Sequence, residues 1–290
     1  MAWVEALRLH QWLKNILIFV PLLSSHQVTN LPQLGHAALA FVLFGLCASG
    51  GYILNDLLDL EDDRHHTTKR HRPFAAGRLS IMAGMIACPL LIGAAFAGAL
   101  ALLPSPFAAA MAAYALLTLA YSLYLKRQMA LDVIALALLY TLRVIAGGVV
   151  LQLPLTFWLL AFSMFMFLSL AFAKRYAELH DALQRGQLDK ARGRDYAPGD
   201  LSVISSLGAT SGYLSVVILA LYIHDPATQS LYGAPHLIWL ACPVLLYWVT
   251  RVWILTHRGD MHEDPVVFAF HDRLSIIAGV AFCAVFIAAL

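Results

Sequence analysis

In this chain of 290 residues 61% are hydrophobic and only 12% charged, too few ionisable groups to solvate a surface of that size, which excludes an ordinary soluble domain. The formal net charge of +2 says little about partners, and none that is a nucleic acid is expected. The composition fits one all-α integral membrane domain over residues 1–290, with the bilayer as its main solvent.

A helix needs about 20 mainly apolar residues to cross a bilayer. The apolar stretches predict nine spans, over 13–30, 36–58, 81–102, 106–125, 130–150, 155–175, 204–223, 236–257 and 273–290. The first is interrupted by Pro21. It follows Arg8 and Lys14 and lacks a small-residue cleavage site, so it reads as a retained helix and not as a signal peptide. Cys47, Cys88, Cys242 and Cys283 fall inside apolar segments without short spacings, and are expected to be buried small hydrophobes, neither disulfides nor metal ligands.

Cations lie in alternate loops. They precede or open span one (Arg8, Lys14), follow spans two (Arg64, Lys69, Arg70, Arg72, Arg78), four (Lys126, Arg127) and six (Lys174, Arg175, Arg185, Lys190, Arg192, Arg194), and surround the loop after span eight (Arg251, Arg258, Arg273). The intervening loops, 25–33, 104–106, 152–154 and 225–235, contain no Lys or Arg. The positive-inside rule therefore predicts a multi-pass protein of the inner (plasma) membrane, with the N-terminus and the loops 59–80, 126–130, 176–203 and 257–272 cytoplasmic. Arg143 breaks the pattern: eleven residues beyond Asp132 it sits ~16 Å along span five, near the midplane, where an ionised side chain should face a polar interior.

Three polar clusters carry chemical potential. At the end of span two, Asn55, Asp56, Asp59 and Asp63 follow the spacing of one helical face, with the acids at i, i+3 and i+7. Like charges so placed repel, and Mg2+ relieves the repulsion where carboxylates hold an ion that also grips a phosphate. The run Arg64-His65-His66-Thr67-Thr68-Lys69-Arg70-His71-Arg72-Pro73 follows at once, closed by Gly77-Arg78, and supplies fixed cations for the remaining charge of a diphosphate. Lys174-Arg175-Tyr176-Ala177-Glu178 ends span six, and pairs Lys174 with Glu178 at i, i+4.

The pattern Asn55-Asp-x-x-Asp59-x-x-x-Asp63-Arg64, before Lys69-Arg-x-Arg72-Pro73 and Gly77, resembles the aspartate-rich motif of the UbiA prenyltransferase superfamily. The resemblance extends to Gln11-Trp12-Leu13-Lys14-Asn15, to Tyr121-Ser122 with Leu125-Lys126, and to Leu142-Arg143-Val144-Ile145-Ala146-Gly147-Gly148. It implies a nine-helix bundle around a central cavity open to the cytoplasm, in which Mg2+ assists ionisation of a diphosphate. The basic Lys174-Arg175-Tyr176-Ala177-Glu178 is similar to the branch of decaprenyl-phosphate phosphoribosyltransferases, whereas prenyl-transferring members have a second aspartate-rich motif there. The implied reaction moves a 5-phosphoribosyl group from phosphoribosyl diphosphate to a polyprenyl phosphate in cell-envelope biosynthesis. Three anionic groups would then meet Lys14, Arg64, Lys69, Arg70, Arg72, Arg143, Lys174 and Arg175.

On this reading Asn55, Asp56, Asp59 and Asp63 hold the metal, Asp56, Asp59, Asp63, Arg64 and Lys69 act on the leaving group, and Lys14, Asn55, Arg70, Arg72, Tyr121, Arg143, Lys174, Arg175, Tyr176 and Glu178 bind substrate. The alternative is prenyl transfer from a prenyl diphosphate to an aromatic or other lipid acceptor. Transport fits less well, because the carboxylates lie at one face and not at the midplane. The segment 185–200 reads as either a lid or a plain connector, and Asp260, His262, Glu263 and Asp264 as a solvated turn, not a metal site.

Overall fold

A computed structural model describes residues 2–25, 27, 29–65, 69–186, 195–261 and 264–290, and only the backbone of Ala227. Among them every regular element is a helix, and the chain forms two compact units.

The first unit comprises Met1–Lys126 and Leu142–Leu155. It opens with α1 (Ala2–Leu7), a 3-10 stretch (Leu9–Phe19) and α2 (Val20–Ser24). The expected span 13–30 is thus not one continuous α-helix. Pro21 explains the division: it sits in the first turn of α2, where a missing N–H costs no bond. At about 2.0 Å per residue the 3-10 stretch covers roughly 20 Å.

The long α3 (Leu31–Leu58) starts at Asn30, whose side chain accepts from Gln33 N, and ends at Asp59, which leaves helical geometry with ψ 12°. α4 (Leu60–His65) then resumes. The bond from Asp63 N to Asp59 O, 2.8 Å, carries helical spacing across the break. α5 (Ile81–Leu102) and α6 (Ser105–Leu123) pack against α3 and each other.

α7 (Leu131–Val150) contributes its second half to this unit. It touches the 3-10 stretch at Gly147, where an added Cβ would lie 2.0 Å from the Ile18 carbonyl oxygen, so only glycine permits the approach. Trp12 lies against Gly45 of α3, and its indole N–H donates to Ser49 Oγ at 2.9 Å. The stretch is thereby held along α3 by side chains and not by length.

The second unit comprises Arg127–Thr141 and Thr156–Leu290. Its elements are α8 (Phe157–Gln184), α9 (Leu201–His224), α10 (Pro226–Gln229), α11 (Ala241–Arg258), α12 (Pro265–His271) and α13 (Arg273–Ala289). α8, α9 and α11 meet at small residues. Ser169 Oγ donates to Gly208 O at 2.7 Å, and Trp253 Nε1 donates to Ser169 Oγ at 3.0 Å. A Cβ on Gly208 would fall 2.1 Å from the Trp253 ring, so a hydrogen there lets the helices close.

Seven helices among the described residues are long and apolar enough to cross a bilayer, or eight if the pair α12 and α13, bent by 85°, is counted as one span. The protein is a multi-pass membrane protein, but the expected nine spans are not reproduced. Span one consists of short pieces, and the last is joined to α12 at a sharp bend. Large apolar side chains face outward, including Leu31 at 75% and Phe157 at 73% exposure, as lipid contact requires. Cys283 is exposed on α13 and not buried as expected, because an apolar helix facing lipid need not bury its small residues; Cys47, Cys88 and Cys242 are buried free thiols.

Candidate active site

The acid cluster lies in the first unit. Asp56 and Asp63 are buried, at 2% and 3% exposure, and both converge on one nitrogen of Arg72. Arg72 Nη1 donates to Asp56 Oδ1 at 3.1 Å and to Asp63 Oδ2 at 2.6 Å. Arg8 donates to the same Asp56 oxygen while lying over the Tyr52 ring at 5.2 Å. To do so Arg8 adopts a left-handed backbone, φ 49°, ψ 50°, between α1 and the 3-10 stretch, a conformation that costs a non-glycine residue about 1 kcal/mol or more.

Asp59 turns elsewhere. Lys126 Nζ donates to both its oxygens, at 2.6 and 2.7 Å. The three acids therefore do not form one ridge: the break after Leu58 swings Asp59 away, leaving Asp56 and Asp63 as the converging pair. Three cations, Arg8, Arg72 and Lys126, offset three carboxylates.

The other expected residues of this unit are more dispersed. Asn55 is half-buried one turn before Asp59, whose N–H it accepts at its backbone oxygen, 2.9 Å. Lys69 is half-buried in a short 3-10 turn, while Arg64 and Arg70 are exposed, Arg70 Nε donating to His71 Nε2. Arg78 instead binds Glu5, whose carboxyl this guanidinium hydrogen bond holds below its ordinary value. His66, Thr67 and Thr68 lie outside the described residues. Tyr121 is half-buried on α6, and Lys14 is buried in the 3-10 stretch at 7% exposure.

Arg143 is buried at 3% exposure, as expected of a charge at mid-helix. Its Nε donates to Asn15 Oδ1 at 3.0 Å and its Nη2 to Tyr114 OH at 3.0 Å. The guanidinium carbon lies 4.7 Å from the Tyr114 ring centroid and 5.5 Å from that of Phe44, geometry for cation–π attraction.

In the second unit the basic helix end splits. Lys174 does not pair with Glu178: its Nζ donates to Asp264 Oδ2 at 3.0 Å, and Tyr140 OH donates to the same carboxylate. Glu178 pairs instead with Arg175, one position closer on the helix. Arg175 also donates to Asp132 Oδ2 at 2.5 Å, with both side chains at 2% exposure or less. Asp132 Oδ1 accepts from Tyr196 OH at 2.6 Å and from Val133 N at 2.7 Å. Arg175 is thus the centre of a buried ion-pair network. Tyr176 OH hydrogen-bonds His257 Nδ1 at 2.8 Å.

Asp264 is not part of a solvated turn: its side chain is 7% exposed and also caps α12 through Val266 N. His262, Glu263 and residues 187–194 of the expected lid or connector lie outside the described residues. Sequence reasoning gave Arg8 and Lys126 no place at the acids, and passed over the partners Asp132, Tyr140 and Tyr196. Arg8 and Asp56 are 48 positions apart and Lys126 and Asp59 are 67 apart, so no local spacing signals either pair.

Among the described residues no three His, Cys, Asp or Glu side chains form a ready metal site. The donor chemistry nevertheless fits a hard divalent cation. Two buried carboxylate oxygens, from Asp56 and Asp63, accept from a single cationic nitrogen, and hard carboxylate oxygens of this kind are the ligands that Mg2+ would select.

Residues 16–274 match the UbiA prenyltransferase family. The chain is 40% identical over 289 residues to the uncharacterized protein y4nM of Sinorhizobium fredii, covering 99% of itself and 56% of that longer protein. It is 37% identical to the nodulation protein NoeC of Azorhizobium caulinodans (99% and 93% covered) and 32% identical to the decaprenyl-phosphate phosphoribosyltransferase of Mycobacterium tuberculosis (97% and 91% covered). In fold it resembles a UbiA homolog from Archaeoglobus fulgidus bound to GPP and Mg2+, with TM-score 0.74 at 16% identity and 100% and 99% coverage. With sequence and fold agreeing along its length, the chain belongs to the UbiA prenyltransferase family and is a membrane transferase.

Proposed function

We propose that this protein transfers a 5-phosphoribosyl group from phosphoribosyl diphosphate to a polyprenyl phosphate, with Mg2+ and release of pyrophosphate, at the cytoplasmic face of an inner membrane. The observation that carries this reading is the convergence of buried Asp56 and Asp63 on one cationic nitrogen, ringed by further cations. Bound Mg2+ would stabilise charge on the departing diphosphate. Asp56 and Asp63, with Asn55 and Asp59 nearby, are the residues to hold it.

Arg72 and Arg8, once released from the carboxylates, become donors to phosphoryl oxygens; Arg64, Lys69 and Arg70 add charge from the adjoining segment. The acceptor is a phosphate already ionised at neutral pH, so no general base is required. Catalysis then rests on positioning and on charge stabilisation as the ribose becomes oxocarbenium-like. Lys174, held by Asp264, is a candidate phosphate donor, and Tyr121, Tyr176 and Glu178 are further candidates for substrate contact. Buried Arg175 serves to position its helix end. The named mycobacterial relative supports the ribosyl donor.

A second reading, prenyl transfer to an aromatic or other lipid acceptor, draws on the archaeal homolog solved with GPP. To separate them, purified protein with Mg2+ receives labelled phosphoribosyl diphosphate and a polyprenyl phosphate, in parallel with a prenyl diphosphate. Pyrophosphate released from the ribosyl donor alone is the expected result; release from the prenyl donor alone overturns the proposal. Asp59→Asn should lower Mg2+-dependent turnover by about a hundredfold or more while the protein still folds, and full activity in that variant would remove Asp59 from the metal role.

A further inference from the structure

Asn15 carries a polar atom that no described residue satisfies. The residue is 1% exposed, its Oδ1 accepts from Arg143 Nε at 3.0 Å, and its Nδ2 has no hydrogen-bond partner among the described residues. Turning the amide over does not solve this, because Arg143 Nε can only donate and requires the carbonyl oxygen opposite it. A buried donor left unmade is expensive, so the site calls for an acceptor brought by a ligand. The neighbouring guanidinium makes an anion the favoured acceptor.

The depth of this spot identifies which anion. Arg143 lies on Phe44, twelve residues before Asp56 on the same helix, and so roughly 18 Å from the acid pair along α3. That is too far for the reacting lipid phosphate, which must touch the sugar carbon that loses the diphosphate, at about 3 Å. A prenyl diphosphate gripped at the acids would lay an apolar tail on a buried guanidinium, which is unfavourable. A pentose with a phosphoryl group at each end is extended and anionic at both ends, so with its diphosphate near the acids its far phosphate reaches toward Arg143, where a charge-assisted hydrogen bond of about 3 Å would hold it.

We infer that Asn15, Arg143 and Tyr114 form a subsite for the sugar 5-phosphate of the donor, with Asn15 Nδ2 as a specificity-determining donor. This rests on the ribosyl reading above and adds what distinguishes that donor from a prenyl diphosphate. Gly147, one turn beyond Arg143, lets the 3-10 stretch carrying Asn15 approach α7 closely enough for the subsite to form.

The test uses full-length protein in lipid nanodiscs with Mg2+, and measures binding of ribose 5-phosphate and of inorganic pyrophosphate by calorimetry. Asn15→Asp keeps an oxygen for Arg143 but replaces the amide donor with an acceptor. It should weaken ribose 5-phosphate binding and raise KM for phosphoribosyl diphosphate, each about tenfold or more, with pyrophosphate binding within about twofold. Asn15→Ser, neutral and smaller, carries the same expectation if the aspartate variant is not recovered folded. Unchanged ribose 5-phosphate affinity, absence of that binding in the wild type, or equal loss of both ligands overturns the subsite. A wild-type protein that consumes only prenyl diphosphate overturns the donor reading instead, whatever Asn15 does.

Discussion

Replacing Asp132 by Asn tests whether Arg175 belongs to the core or to the substrate site. Oδ1 of Asp132 already accepts two bonds, from Tyr196 OH and Val133 N, so the new amide nitrogen must take the Oδ2 position. There it faces Arg175 Nε, donor against donor, where the wild type has a 2.5 Å ion pair. Arg175 is 2% exposed, and Glu178, which also pairs with it, is 42% exposed and so a weaker partner for its charge. Removing one member of a buried pair costs about 3–5 kcal/mol, equivalent to a fall in Tm on the order of 10 °C. Thermal unfolding in one detergent, followed by intrinsic fluorescence, reads this directly. The double variant Asp132→Asn/Arg175→Met should recover part of the loss, because the second change removes the stranded charge. A single variant within about 1 kcal/mol of wild type would refute the buried-network account and return Arg175 to the substrate candidates.

Gly208→Ala should lower stability by about 1–3 kcal/mol, seen as a reduced Tm, since its Cβ would sit 2.1 Å from the Trp253 ring. Asp264→Asn should cost about 1–2 kcal/mol and raise KM for the anionic substrates more than it changes kcat; an unaltered KM would detach Lys174 from phosphate binding. Burial, reinforced by the hydrogen bond to Asp132, pushes the Tyr196 phenol above its ordinary value. A raised pKa in the folded state gives stability that is intact below about pH 10 and lost as pH climbs beyond it. Tyr196→Phe should therefore be less stable at neutral pH by about 1 kcal/mol, with the gap to wild type closing under alkaline denaturation.

Much of this protein follows from local rules. Apolar stretches long enough for a bilayer locate each helix between 31 and 258, because the bilayer demands length and hydropathy wherever a segment packs. Their ends are less well located: α3 begins before its expected start, and α8 continues to Gln184, well past the expected end at 175. Asp56 and Asp63 meet because their spacing survives the break at Asp59, a short-range property. A lone arginine in an apolar span must be buried among polar groups, and Arg143 is.

Tertiary structure alone decided which charge met which. Arg8 reaches Asp56 only because the 3-10 stretch runs back along α3, and Lys126 reaches Asp59 only because α5 and α6 return the chain to that end of α3. At the end of α8 the adjacent residues Lys174 and Arg175 point to different acids, Asp264 and Asp132, a choice set by helix rotation and not by spacing. Composition and periodicity act within a few turns of one helix, whereas ion pairing depends on where distant helices place their faces. The solvent, the helices and the acid pair were therefore legible in the residues, and the partners that hold the acids were not.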